Sequence, residues 1–157
     1  MITPPKWLLI VGAIAVARPA AAQRPDPWAA EVVRALAAAG RAVGERDAKT
    51  AGPPWTGVLS TGGTTTFPVR LTAGVKYVVI AACDRDCARL GLQVRDPRHY
   101  DLAADASATR QPAVVVTPSV SGAHTITLTM GACRVAPCRV GVLVVEAGPP
   151  GGGGEAR

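Results

Sequence analysis

The chain has 157 residues, 48% hydrophobic and 18% charged, with four cysteines and a formal charge of +6. That length suits one modest domain, and 17 glycines with 14 prolines stay below the share at which a whole chain reads as low-complexity, so a packed core is expected. Collagen-like, coiled-coil and multipass-membrane classes are excluded by the same composition.

Residues 1–22 read as a secretory signal peptide. Lys6 precedes an apolar run over residues 7–17, and Ala20-Ala21-Ala22 precedes Gln23. The run is about half the roughly twenty residues a spanning helix needs, and small residues at Ala20 and Ala22 suit cleavage between Ala22 and Gln23. With no cysteine near that point, no lipid anchor is implied. The expectation is a periplasmic or secreted protein with no stable membrane span after cleavage. Losing Lys6 and Arg18 takes the basic count from 17 to 15 against 11 acids, so the net charge falls to +4. The remaining arginines are interspersed with acids, without a like-charge run or interleaved aromatics, which argues against nucleic acid as a partner.

From Asp26 to about Lys49 the pattern is helical. Asp26 can cap, Pro27 suits the first turn, and Trp28, Val32, Leu36, Ala39 and Val43 follow along one face. Residues 23–54 are read as this amphipathic helix and a linker ending in Gly52-Pro53-Pro54. Beyond it the period changes to two. Thr65, Phe67, Val69 and Leu71 share one strand face, and Val75, Tyr77, Val79 and Ala81 another. Leu90, Leu92 and Val94 alternate with Arg89, Gly91, Gln93 and Arg95. His124, Ile126, Leu128 and Met130 face one way, and Thr125, Thr127 and Thr129 the other, giving a dry and a wet face. Short strands at residues 58–60 and 114–117 and one apolar on both faces at 139–146 complete seven or eight. Strands at this spacing with turn residues between them predict an all-β fold, an antiparallel β-sandwich or jelly roll over residues 55–147, preceded by a short N-terminal helix. Pro68 then belongs on an edge strand or at a bulge. Residues 148–157, rich in Gly and Pro, have nothing to bury and read as a disordered tail.

Four cysteines in an exported domain argue for two disulfides. In extended conformation Cys83 and Cys87 would lie about 13 Å apart, beyond the roughly 7 Å a disulfide tolerates. Local bonding therefore needs a turn, which Asp84-Arg85-Asp86 can supply, as Pro137 can between Cys133 and Cys138. Cys83 with Cys87 and Cys133 with Cys138 are the favoured pairs. Bonds between the two loops, or a four-thiolate zinc site, are the alternatives.

Among the acids, Asp84, Asp86, Asp96, Asp101 and Asp105 cluster in sequence. Loop carboxylates are what calcium needs, so Asp84, Asp86, Asp101 and Asp105 are the candidate ligands, but no regular calcium-loop spacing is present. Arg85, Arg89, Arg95 and Arg98 lie among them, and turn-forming and salt-bridging roles are expected instead, with no cofactor. The two histidines are His99, in a loop, and His124, on a dry strand face. No Gly-x-Ser-x-Gly elbow, phosphate-cradling loop or dinucleotide fingerprint occurs. No catalytic residue is assigned.

Several of these residues together resemble the bacterial pre-peptidase C-terminal domain, a secreted β-sandwich module often found beside extracellular peptidases. They are Gly57-Val58-Leu59 before a glycine turn, the run from Phe67 to Tyr77 containing Leu71-Thr72-Ala73-Gly74-Val75-Lys76-Tyr77, then Asp96-Pro97, Asp105, Pro118 and Ser121-Gly122-Ala123-His124. The stretch from Cys83 to Cys87 is similar to a cysteine-containing subgroup of stand-alone exported proteins. That subgroup tends to carry Asp-Leu-Asp-Leu where this chain has Arg89-Leu90-Gly91-Leu92, and the module has an aromatic where His124 stands. The chain is expected to be monomeric and to act as a non-catalytic binding or accessory module whose turn loops contact an extracellular polymer, an envelope component or a secreted protein, a partner class that the resemblance implies. The alternative is a structural envelope protein assembling through its N-terminal helix, and the third reading is a hydrolase.

Overall fold

The computed structural model of the chain describes residues 26–43 and 49–147. The expected leader, its cleavage point and the Gly/Pro tail lie outside these residues.

The first element is α1, Pro27–Val43. Asp26 caps it, its Oδ1 accepting from the amides of Trp28 at 3.0 Å and Ala29 at 3.4 Å. Nine strands follow: β1 (Lys49–Thr50), β2 (Trp55–Leu59), β3 (Thr64–Leu71), β4 (Tyr77–Cys83), β5 (Cys87–Arg95), β6 (Asp101–Asp105), β7 (Ala113–Val116), β8 (Gly122–Cys133) and β9 (Cys138–Glu146). All described pairings are antiparallel. One sheet runs β1-β9-β4-β7, with β2 also on β9, and the other runs β3-β8-β5-β6. The expected sandwich with its N-terminal helix is present. Two strands go beyond the expected set. β1 places Lys49 opposite Glu146 in a ladder, so the helical reading overran at its end. β6 pairs with β5 where the sequence suggested an acidic loop.

Alternation explains the core. Leu90, Leu92 and Val94 of β5 meet Ile126, Leu128 and Met130 of β8 and the inward residues Tyr77, Val79, Ala81, Val140, Val142 and Val144 of β4 and β9. Between the sheets Trp55 stacks on Phe67 with ring centroids 4.5 Å apart, so β2 of one sheet is tied to β3 of the other. Pro68 lies on β3, the end strand of its sheet, one of the places where a strand admits proline.

β4 and β9 are apolar on both faces because both faces are covered. Their outer residues Val78, Ile80, Leu143 and Val145 pack against Val32 and Leu36 of α1, both at 0% exposure. Two glycines allow that close approach. A Cβ at Gly141 would lie 2.9 Å from Val32 Cγ1 and from the Trp55 carbonyl oxygen, and one at Gly40 would lie 2.7 Å from Leu143 Cδ2. The helix stripe that could have served assembly is thus spent within the chain, on its own sheet.

The Leu71–Tyr77 stretch is a packed corner. Gly74 takes φ 77°, Tyr77 is buried, and its hydroxyl oxygen accepts from the Thr72 amide at 3.1 Å. Ser121 Oγ accepts from the Ala73 amide at 2.8 Å and links this corner to the turn before β8.

Candidate functional site

The cysteines close two short loops at one end of the sandwich, Cys83 with Cys87 and Cys133 with Cys138, each with Cα atoms 5.9 Å apart. Cys87 and Cys133 are register partners on β5 and β8, so the loops sit side by side. Buried Asp84 ties them together: its Oδ1 accepts from the Asp86 amide at 3.1 Å and its Oδ2 from the Arg139 amide at 2.6 Å. The same end grips the helix. Arg85 lies over the Trp28 ring at 4.5 Å and reaches Glu31 at 3.4 Å, and Arg139 meets Asp26 at 2.5 Å.

The candidate calcium ligands do not converge. Asp84 and Asp86 precede Cys87 at one end of β5, Asp105 stands opposite Leu92, and Asp101 stands opposite Arg95 near the far end. Asp84, Asp101 and Asp105 have other work. Asp101 pairs with Arg95 at 2.6 Å, while Asp105 Oδ1 accepts from the Ser107 amide at 2.9 Å and its Oδ2 from the Ala113 amide at 3.1 Å. Asp96 accepts from the amides of Arg98 and Tyr100 and shapes the turn from β5 to β6. Among the described residues no group of three His, Cys, Asp or Glu side chains is placed to hold a metal. His99 occupies that turn at φ 69°, and His124 is wholly buried.

What the sheets do build is a groove. The middle of the outer face of the five-stranded sheet is capped by α1, whereas among the described residues nothing covers the outer face of the β3-β8-β5-β6 sheet. Register fixes its rows: Thr64, Thr129 and Gly91 form one, and Thr66, Thr127, Gln93 and Ala104 the next. Paired hydroxyls lie 3.4 Å apart at Thr64 and Thr129 and 3.2 Å apart at Thr66 and Thr127. Over β5 this face hollows into an open groove of ≈330 Å³, lined among others by Arg89, Gly91, Gln93, Thr127, Thr129 and Gly131.

Two glycines make the hollow. A Cβ on Gly91 would lie 3.6 Å from the Thr129 carbonyl oxygen, an ordinary contact, so its backbone tolerates a side chain and the space above it is simply unfilled. A Cβ on Gly131 would instead strike the Arg89 side chain, which lies across that residue with Nη2 donating to the Gly131 carbonyl oxygen at 3.3 Å. Hydroxyls, a carboxamide and a guanidinium therefore surround a floor without side chains. No residue lining the groove is aromatic; most of its lining surface is apolar, and its polar groups are those of the residues along its edges. Of the hollows along the seam between α1 and the sheet, one is lined largely by alanines, and another, of ≈360 Å³, by Glu31, Thr109, Arg110 and Gln111 among others.

Sequence reasoning assigned contact to turn loops and counted Arg89 among solvated charges, so it missed this face. The available sign was two glycines, Gly91 and Gly131, both at wet positions of strands whose dry positions are regular.

No family model matches the chain. No curated protein matches it either. Among solved structures, it is similar to a carbohydrate-binding module from Cellvibrio mixtus lichenase 5A in complex with cellotriose. Identity is 10%, TM-score 0.36, and the match covers 62% of this chain and 88% of that one. A family 6 carbohydrate-binding module matches at 14% identity and TM-score 0.33, covering 67% and 95%. Likeness this slight transfers no ligand and no residue role.

Proposed function

We propose that this chain is an exported, monomeric, non-catalytic binding module that holds a segment of an extracellular glycan in the groove over β5. The observation that carries the reading is the groove itself: a hollow on an uncovered sheet face, floored by Gly91 and edged by Thr127, Thr129, Gln93 and Arg89. A hydroxylated polymer can lie against that floor, exchanging bonds to water for bonds to the edging side chains. A rigid sheet keeps those groups in place before binding, which lowers the ordering cost. Two disulfides suit an oxidising compartment, and among the described residues no helix is long and apolar enough to cross a membrane. Kinship with the pre-peptidase C-terminal module belongs to the same proposal, supported by the packed corner that Leu71-Thr72-Ala73-Gly74 and Tyr77 form.

The test is a polysaccharide panel probed with the wild-type chain and with Gly91→Leu. Leucine would project into the hollow without disturbing the backbone, so retention on the bound polysaccharide should fall at least about tenfold while the melting temperature stays put. Equal retention of both proteins, or no polysaccharide retained by the wild type, would overturn the reading.

A further inference from the structure

The unequal ends of the groove say more about its occupant, on the assumption that it holds a glycan. Four arginines have carboxylate partners: Arg85 with Glu31, Arg95 with Asp101, Arg98 with Asp96 and Arg139 with Asp26. Arg89 has none among the described residues, as is also true of Arg34, Arg41, Arg70, Arg110 and Arg134, but Arg89 is the arginine that lines the groove. It is exposed, yet it is not loose, because its side chain lies across Gly131 and one nitrogen is held by the Gly131 carbonyl oxygen. The remaining guanidinium N–H groups form a planar donor fork with no protein acceptor. A planar fork matches a carboxylate through two parallel bonds. The one carboxylate lining the groove, Asp105, does not answer it. Asp105 lies on β6 and accepts from the Ser107 and Ala113 amides, beyond its own sheet row. Between Arg89 and β6 lie Thr129, Thr127 and Gln93, which address hydroxyl groups.

We infer that the groove selects an acidic glycan, a uronate-bearing polymer, with Arg89 binding the sugar carboxylate and the threonine and glutamine side chains meeting the ring hydroxyls. The chain's positive net charge favours the approach of such a polymer and adds salt dependence to its binding.

The experiment compares polygalacturonate oligomers with the same oligomers after carboxyl reduction, by calorimetry, for the wild type, Arg89→Gln, Arg89→Lys and Gly91→Leu. The wild type should bind the acidic form about ten- to a hundredfold more tightly than the reduced form, the range of a charged hydrogen-bond pair. Arg89→Gln should erase that preference while leaving the weak binding of the reduced form unchanged, and Arg89→Lys, which keeps charge without the fork, should restore only part of it. Gly91→Leu should weaken both. Equal wild-type affinity for the two forms overturns the uronate inference, and so does a preference that survives Arg89→Gln. In either case the glycan-binding reading stands, provided that Gly91→Leu still weakens binding. If neither oligomer binds, the uronate inference fails, and the polysaccharide panel decides the broader reading separately.

Discussion

His124 illustrates how one side chain can sit against its surroundings. Its strand faces the core at every second residue, which carries the imidazole inside with Ile126, Leu128 and Met130. There Nδ1 donates to the Gly122 carbonyl oxygen at 3.2 Å, but Nε2 is buried without a partner. An unsatisfied buried polar atom costs on the order of 1–3 kcal/mol, more than one neutral hydrogen bond returns. His124→Phe fills similar space without the orphan nitrogen, so the substitution should raise stability by about 1 kcal/mol. Urea unfolding monitored by circular dichroism would show this as a higher midpoint at unchanged slope. A lower midpoint would mean that Nε2 does useful bonding in the folded chain. Arg89, Gly91 and Gly131 make the opposite case, residues with no part in the core whose spacing across two strands shapes the open face.

At the level of elements, the turn from β5 to β6 is held by one carboxylate. Burial works to raise the Asp96 pKa, but amide bonds from Tyr100 and Arg98 and the Arg98 guanidinium outweigh it and hold the carboxyl below its ordinary value. A carboxylate depressed by folding stabilises the native state in full above its unfolded pKa near 3.9, and that contribution is lost as pH falls through the lower folded value. Asp96→Asn keeps an oxygen for the amides but removes the charge. The variant should melt lower than wild type at pH 7, and the gap should close as pH falls below about 4. Melting temperatures from pH 2 to 7 check this, and parallel curves would refute it. Asp105 adds to the same acid sensitivity. Hydrogen bonds from Ser107 lower its pKa, burial opposes them, and the Ala113 amide lowers it further.

The same β5–β6 region shows where the sequence could and could not be read. β8 was legible because His124, Ile126, Leu128 and Met130 alternate without a break with threonines, and β9 because it is apolar on both faces. β6 was hidden because its ends are aspartates and a register shift between Val94 and Arg95 breaks its pairing. β1 is two residues long and has no period at all. The groove needed something periodicity cannot supply, the register that sets Gly91 opposite Thr129 and Gln93 opposite Thr127. Both disulfide loops were legible, since their turn residues and short spacing already favoured local closure. Each loop is so small that chain entropy assigns it only about 2 kcal/mol. Their larger role is to pin the end that grips α1.

At the scale of the whole fold, the decisive asymmetry among the described residues is that one sheet has its outer face covered and the other does not. α1 closes a second apolar layer over β4 and β9, with Val32 and Leu36 seated on Val78, Ile80, Leu143 and Val145. If that helix instead existed to join copies of the chain, its stripe would be available to a partner, and in this fold it is consumed internally. Leu36→Asp separates the two roles. A charge placed at a position with 0% exposure cannot be solvated there, so the helix should detach while the core between the sheets, which does not include Leu36, stays packed. Detachment would uncover the apolar outer residues of β4 and β9. The variant should therefore bind a hydrophobic dye and self-associate with rising concentration, whereas the wild type stays monomeric in light scattering. It should still bind at the β5 groove, on the opposite sheet. A wild-type oligomer that Leu36→Asp breaks into monomers would reverse the conclusion and make α1 an assembly element.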